Sequence, residues 1–116
     1  MGPPASTDVA WIALGSNVGH RGRNLQRLRE QIEHRDAHVE AASSDILTRA
    51  VGVRGQTDYH NQVIRVRSRT PLTPHQWLQL CKDAETAAGR KPTYHWGPRI
   101  ADADIVLLGE RGELVV

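Results

Sequence analysis

Phenylalanine is absent from this sequence of 116 residues, and three Trp and two Tyr supply all of its aromatic rings. A core must therefore be built from Leu, Ile, Val and Ala around a few large anchors. A base-stacking platform on exposed strands would have only Trp11 and Tyr59 to draw on, which argues against an RNA-binding module. The single cysteine, Cys81, excludes an internal disulfide. No run is long and apolar enough for a membrane span or a signal peptide, so a cytoplasmic protein without a membrane partner is expected. A net charge of +2, from 15 basic and 13 acidic residues, is too even to suggest a nucleic-acid partner, although it allows a local basic pocket. The length suits one domain. A flexible lead is expected over residues 1–8, and the domain over residues 9–116.

What is present alternates between strand and helix signals. Val9 to Leu14 is a short apolar run that ends in Gly15-Ser16-Asn17, a buried first strand followed by a turn. Leu25, Leu28 and Ile32 recur at helical spacing, which predicts an amphipathic helix from Asn24 to about His34. Val39 to Thr48 reads as a second strand and Tyr59 to Arg67 as a third, paired antiparallel across a Gly-containing loop. In the third strand Tyr59 and Asn61 share one face, while Ile64 and Val66 mark the core side. Arg65, Arg67 and Arg69 form a basic stripe, read as a solvated face. Thr73-Pro74-x-Gln76 carries a capping box with proline at the first helical position, and Trp77, Leu80, Cys81, Ala84 and Ala88 continue an apolar face that stops at Gly89. The predicted order is β-α-β-β-α-β, the ferredoxin-like α+β plan, with four antiparallel strands and two helices on one face.

The richest chemistry lies in the final fifth. Asp102 and Asp104 stand at the mouth of the apolar run Ile105-Val106-Leu107-Leu108, and strand alternation points both carboxylates to one side and Ala101, Ala103 and Ile105 to the other. Two like charges so close favour a shared hard cation such as Mg²⁺. Arg90, Lys91 and Arg99 lie just upstream, suited to the polyphosphate that would complete the cation's coordination. A bare D-x-D pattern is also frequent in solvated turns, so the residues alone leave both readings open.

The longer pattern Trp96-Gly97-Pro98-Arg99-x-x-Asp102-x-Asp104-Ile105 resembles the signature of the 6-hydroxymethyl-7,8-dihydropterin pyrophosphokinase family. Gly15-Ser16-Asn17, Thr48-x-x-Val51-Gly52 and Tyr59-x-Asn61 extend the similarity, as does Glu85, which matches an acidic residue near the family's nucleotide site. The resemblance implies Mg²⁺-dependent transfer of diphosphate from ATP to the pterin alcohol in folate biosynthesis, with AMP leaving. It implies two Mg²⁺ ions on Asp102 and Asp104, pterin contacts at Thr48, Val51, Tyr59 and Asn61, and nucleotide contacts at Glu85, Arg90, Lys91, Trp96 and Arg99. Arg90 and Arg99 join the two aspartates as the catalytic set.

The chain departs from the family at three places. Arg49-Ala50 stands where a proline pair is usual, Ile46 where an aromatic is usual, and Pro92 where the second arginine of a Gly-Arg-x-Arg loop falls, with Lys91 as a partial substitute. The resemblance runs from about Val9 to Val116. Family members continue with a Pro-His-Pro-like segment, a phosphate-contacting arginine and a second aromatic that closes on the pterin, so a short form is expected here, with a homo-oligomer as one means of completing the site. A second function class stays open: a catalytically impaired relative that binds a pterin, a nucleotide or a partner protein through the same groove.

Overall fold

A computed structural model of the protein describes residues 5–17, 19–48, 59–90 and 100–112. In chain order the elements are β1 (Thr7–Ser16), α1 (Arg21–Glu33), β2 (Ala37–Ala42), β3 (Ile46–Thr48), β4 (Tyr59–Leu72), α2 (Pro74–Ala87) and β5 (Asp102–Leu108). The long strands run in the spatial order β2-β4-β1-β5, all antiparallel, and the short β3 also pairs with β4. This is an α+β fold consistent with the ferredoxin-like plan, with one strand more than the four expected.

The extra strand comes from a break in the predicted Val39–Thr48 segment. At Ser43 the side chain substitutes for the backbone: Val63 N–H donates to Ser43 Oγ (3.0 Å), and Gln62 Nε2 donates to the Ser43 carbonyl (2.8 Å). A hydroxyl that takes a ladder hydrogen bond interrupts the regular pairing, a competition for which serine is well suited. The strand resumes as β3, with Ile46 opposite Asn61 and Thr48 opposite Tyr59.

Two other boundaries differ from expectation. Helix α1 begins at Arg21, ahead of the apolar spacing, with an N-cap His20 whose side chain makes no capping bond. No capping residue therefore announced it. Strand β4 continues to Leu72 through Ser68, Thr70 and Pro71, turn-forming residues that pairing with Thr7 holds extended.

The core lies between the helices and one face of the sheet. Ile12 and Leu14 of β1, Ile64 and Val66 of β4, and Leu108 of β5 meet Leu25, Leu28 and Ile32 of α1 and Trp77, Leu80, Cys81 and Ala84 of α2, all buried. Trp77 is the large anchor, fully buried with its indole N–H donating to the Thr7 carbonyl at 3.0 Å. Burial pushes the Cys81 thiol up to about 12, so it is an inert packing residue. The capping box of α2 forms in full: Gln76 N–H donates to Thr73 Oγ1 (3.2 Å) and Thr73 N–H to Gln76 Oε1 (2.9 Å).

Gly89 closes the same helix. With φ at +102° it takes the left-handed position that disfavours a side chain, its N–H donates to the Thr86 carbonyl (3.1 Å), and Arg90 N–H donates back to the Glu85 carbonyl (3.0 Å). This Schellman closure fixes the Arg90 backbone directly beyond Glu85. No helix among the described residues is long and apolar enough to cross a membrane.

Candidate functional site

The sheet's other face carries no helix among the described residues, and its side chains follow from register. Across β4, β1 and β5, one row reads Asn61, Gly15, Asp102 and the next reads Val63, Ala13, Asp104. Adjacent strands are about 4.8 Å apart, so the outer members of each row stand roughly 10 Å from one another. Because Gly15 has no side chain and Ala13 only a methyl, the centre of both rows is a floor rather than a filled layer.

A cavity of about 220 Å³ occupies that floor, lined by Ala13, Leu14, Gly15, Tyr59, Asn61, Asp102 and Asp104. A Cβ built on Gly15 would lie 3.5 Å from both Asn61 Oδ1 and a Tyr59 ring carbon, in ordinary contact with them, so glycine keeps the floor beside these two side chains clear.

The two walls differ in chemistry. On the β4 side are the Tyr59 ring and the Asn61 amide, whose nitrogen donates to the Ile46 carbonyl at 3.3 Å. A planar ring beside a planar amide suits a flat heterocycle. Loss of water and the nearby Asp102 charge raise the Tyr59 phenol above its ordinary value, so it stays neutral at physiological pH.

On the β5 side are the carboxylates. Asp104 is raised from the usual carboxylate range, first by partial desolvation and then by the charge of Asp102, with Arg90 opposing. Asp102 Oδ1 accepts from Arg90 Nη1 at 3.0 Å, and the same Nη1 is 2.9 Å from Glu85 Oε1. Glu85 is only 7% exposed, and its other oxygen accepts the Ala103 N–H at 2.7 Å. Burial raises Glu85 from its ordinary value, while the Ala103 N–H and Arg90 pull the other way. It is thus no exposed helical glutamate: it lies beneath the aspartates, with both oxygens engaged by protein groups.

The structure therefore brings together Tyr59, Asn61, Glu85, Arg90, Asp102 and Asp104. Thr48 ends β3 opposite Tyr59 at the β4 side. Val51, Lys91, Trp96 and Arg99, with the departures Arg49, Ala50 and Pro92, lie outside the described residues. The sequence reading missed Gly15 as the floor; its signal was a glycine at the end of a strand otherwise built for packing. The basic stripe is also corrected. Arg65 and Arg67 are bound in a network with Asp8, Glu40 and Glu110, and the Arg65 guanidinium lies 5.4 Å from the centre of the Trp11 ring, so these two cations are neutralised by their own chain.

Whether a divalent cation fits can be judged from the donors. Asp102 and Asp104 face the same way across one cavity, and after desolvation the Asp102 charge is the next cause that raises the Asp104 carboxyl. No group of three or more His, Cys, Asp or Glu side chains able to hold a metal occurs among the described residues. Two hard oxygen donors without a third protein ligand suit Mg²⁺, which binds through one or two carboxylates and takes its remaining ligands from water and phosphate.

Fold and site together define a ferredoxin-like α+β domain whose open sheet face holds an acidic, arginine-flanked cleft. The family model for 7,8-dihydro-6-hydroxymethylpterin-pyrophosphokinase matches residues 11–116. The chain is 36% identical over 101 residues to the 2-amino-4-hydroxy-6-hydroxymethyldihydropteridine pyrophosphokinase of Bacillus subtilis, covering 86% of this chain and 59% of that protein. It is 34% identical over 99 residues to the enzyme of the same name from Aquifex aeolicus (85% and 60%), and 35% identical over 99 residues to a mitochondrial folate synthesis bifunctional protein of Arabidopsis thaliana (85% and 18%). The chain belongs to the 7,8-dihydro-6-hydroxymethylpterin-pyrophosphokinase family. It spans about three fifths of the length of the two bacterial relatives.

Proposed function

We propose that the domain serves the transfer of a diphosphate group from ATP to 6-hydroxymethyl-7,8-dihydropterin, releasing AMP, in the cytoplasm. One observation carries the reading: a wall suited to a flat heterocycle and a wall of paired carboxylates face each other across a single cavity. Tyr59 and Asn61 hold the pterin, the ring by stacking and the amide by reading its edge. Asp102 and Asp104 hold Mg²⁺, which when bound supplies charge neutralisation for the triphosphate. Arg90, placed by the closure of α2, exchanges Asp102 for a phosphate oxygen when the nucleotide arrives. The pterin hydroxyl oxygen bonds to the β-phosphorus as its proton passes to solvent, the bond from that phosphorus to the α,β-bridging oxygen breaks, and AMP leaves with the bond electrons. Such a step asks the protein for positioning and charge stabilisation rather than a nucleophile.

The test is a turnover assay with ATP, Mg²⁺ and the hydroxymethyl dihydropterin, following AMP with and without the pterin. Pterin-dependent AMP supports the proposal. No AMP, with either ligand still bound in calorimetry, points instead to the catalytically impaired binder; a chain that binds neither ligand defeats both readings.

A further inference from the structure

We propose that Glu85 is a positioning residue for the aspartate pair, and that it sets how well the pair binds a divalent cation with nucleotide. The inference rests on reading the cavity as a cation and polyphosphate site. Among the described strands β5 is an outer one, paired on one side with β1 only. A backbone N–H on its other side has no described strand to accept it. The Ala103 N–H, between the two aspartates in sequence, is taken by Glu85 Oε2 at 2.7 Å.

The second oxygen of the same carboxylate is 2.9 Å from Arg90 Nη1, and that nitrogen is 3.0 Å from Asp102 Oδ1. Glu85 therefore grips the strand between the aspartates with one oxygen and steers the cation that pairs with Asp102 with the other. The Schellman closure repeats the link in the backbone, since Arg90 N–H donates to the Glu85 carbonyl. An apolar residue of similar volume would serve packing alone at least as well as a buried carboxylate. Only a carboxylate of this length accepts from a backbone N–H and a guanidinium at once. Glutamine has one acceptor oxygen where two are used, and aspartate keeps the charge but is one methylene too short to span both donors.

The test uses the whole chain, ¹⁵N-labelled, and Mn²⁺ with a non-hydrolysable ATP analogue as the probe. In the metal-free wild type, the Ala103 amide proton is expected to be shifted downfield and slow to exchange, as a donor to a carboxylate is. Glu85→Gln and Glu85→Asp are both expected to lose that signature. Both should also bind the Mn²⁺ analogue complex about tenfold more weakly, the scale seen when a partner that orients a metal ligand is removed. A rapidly exchanging Ala103 amide in the wild type overturns the inference without recourse to a variant. So does wild-type affinity in Glu85→Asp, which would show that charge alone suffices. Absence of Mn²⁺ analogue binding by the wild type overturns the reading of the cavity and this role together, and is told apart because the Ala103 signature is then intact.

Discussion

Replacing Asp104 with asparagine should make the metal-free protein more stable while weakening its hold on a metal–nucleotide complex. Asp102 and Asp104 are alternate residues of β5 and face the same cavity, and a hydrogen bond between their side chains is one cause of the raised Asp104 carboxyl, so the two charges come within about 4 Å of each other. Two unit charges at that distance repel by about 4 kcal/mol at an effective dielectric of 20 and about 1 kcal/mol in bulk water. Asp104 is exposed, and Arg90 offsets part of the charge on Asp102, so the low end of that range applies, roughly 1 kcal/mol. For a domain of this size that corresponds to a rise in Tm of about 4–6 °C.

The sign with pH is fixed by the direction of the shift. A carboxylate raised in the folded state destabilises the fold above its folded pKa and has no such effect below its unfolded value. The advantage of the asparagine should therefore be full at neutral pH and fade as acid protonates Asp104 in the wild type. It should also shrink in 1 M salt, where the screening length is about 3 Å. Calorimetric melts of both proteins, at pH 7 and in acid, with and without salt, check each point. An Asp104→Asn variant that melts at or below the wild type in metal-free buffer would refute the claim that the pair is held against its own repulsion.

Other substitutions probe separate parts of the molecule. Tyr59→Ala should weaken binding of the hydroxymethyl dihydropterin and spare the nucleotide; calorimetry with each ligand alone checks this, and an unchanged pterin affinity removes Tyr59 from the site. Gly89→Ala forces a side chain into the left-handed region and should cost about 1–2 kcal/mol in denaturant melts. It should also weaken nucleotide binding if the Schellman closure places Arg90. Leu28→Ala, in the fully buried row of α1, should cost about 2–5 kcal/mol of stability without changing ligand affinity in the protein that remains folded.

The fold was largely legible because its signals are periodic. Ile12 and Leu14, Ile64 and Val66, and the spacing of Leu25, Leu28 and Ile32 each mark a core side, and the core side of a strand dictates what faces away. The same alternation placed Asp102 and Asp104 together and Tyr59 beside Asn61. What stayed hidden depends on contacts between segments far apart in sequence. Ser43 interrupts a strand because its hydroxyl meets Val63, which nothing near Ser43 announces. Arg65 and Arg67 read as part of a solvated basic stripe because their partners come from Asp8, Glu40 and Glu110 on other segments. Glu85 did leave a trace: it extends the row Trp77 and Cys81 at spacing four, and so falls on the buried side of its helix.

That position gives α2 the character of a ruler. Its origin is the capping box at Thr73 and its mark is Glu85, twelve residues further on, at a distance of about 18 Å along the axis. Inserting or deleting one residue between them would turn the glutamate by about 100° and carry it off the outer strand, while a helix of nearly the same composition and capping remained. The length of α2 is thereby tied to the chemistry of β5. Within this domain, change in helix length is expected to be tolerated ahead of α1, where His20 makes no side-chain cap, long before it is tolerated between Thr73 and Glu85.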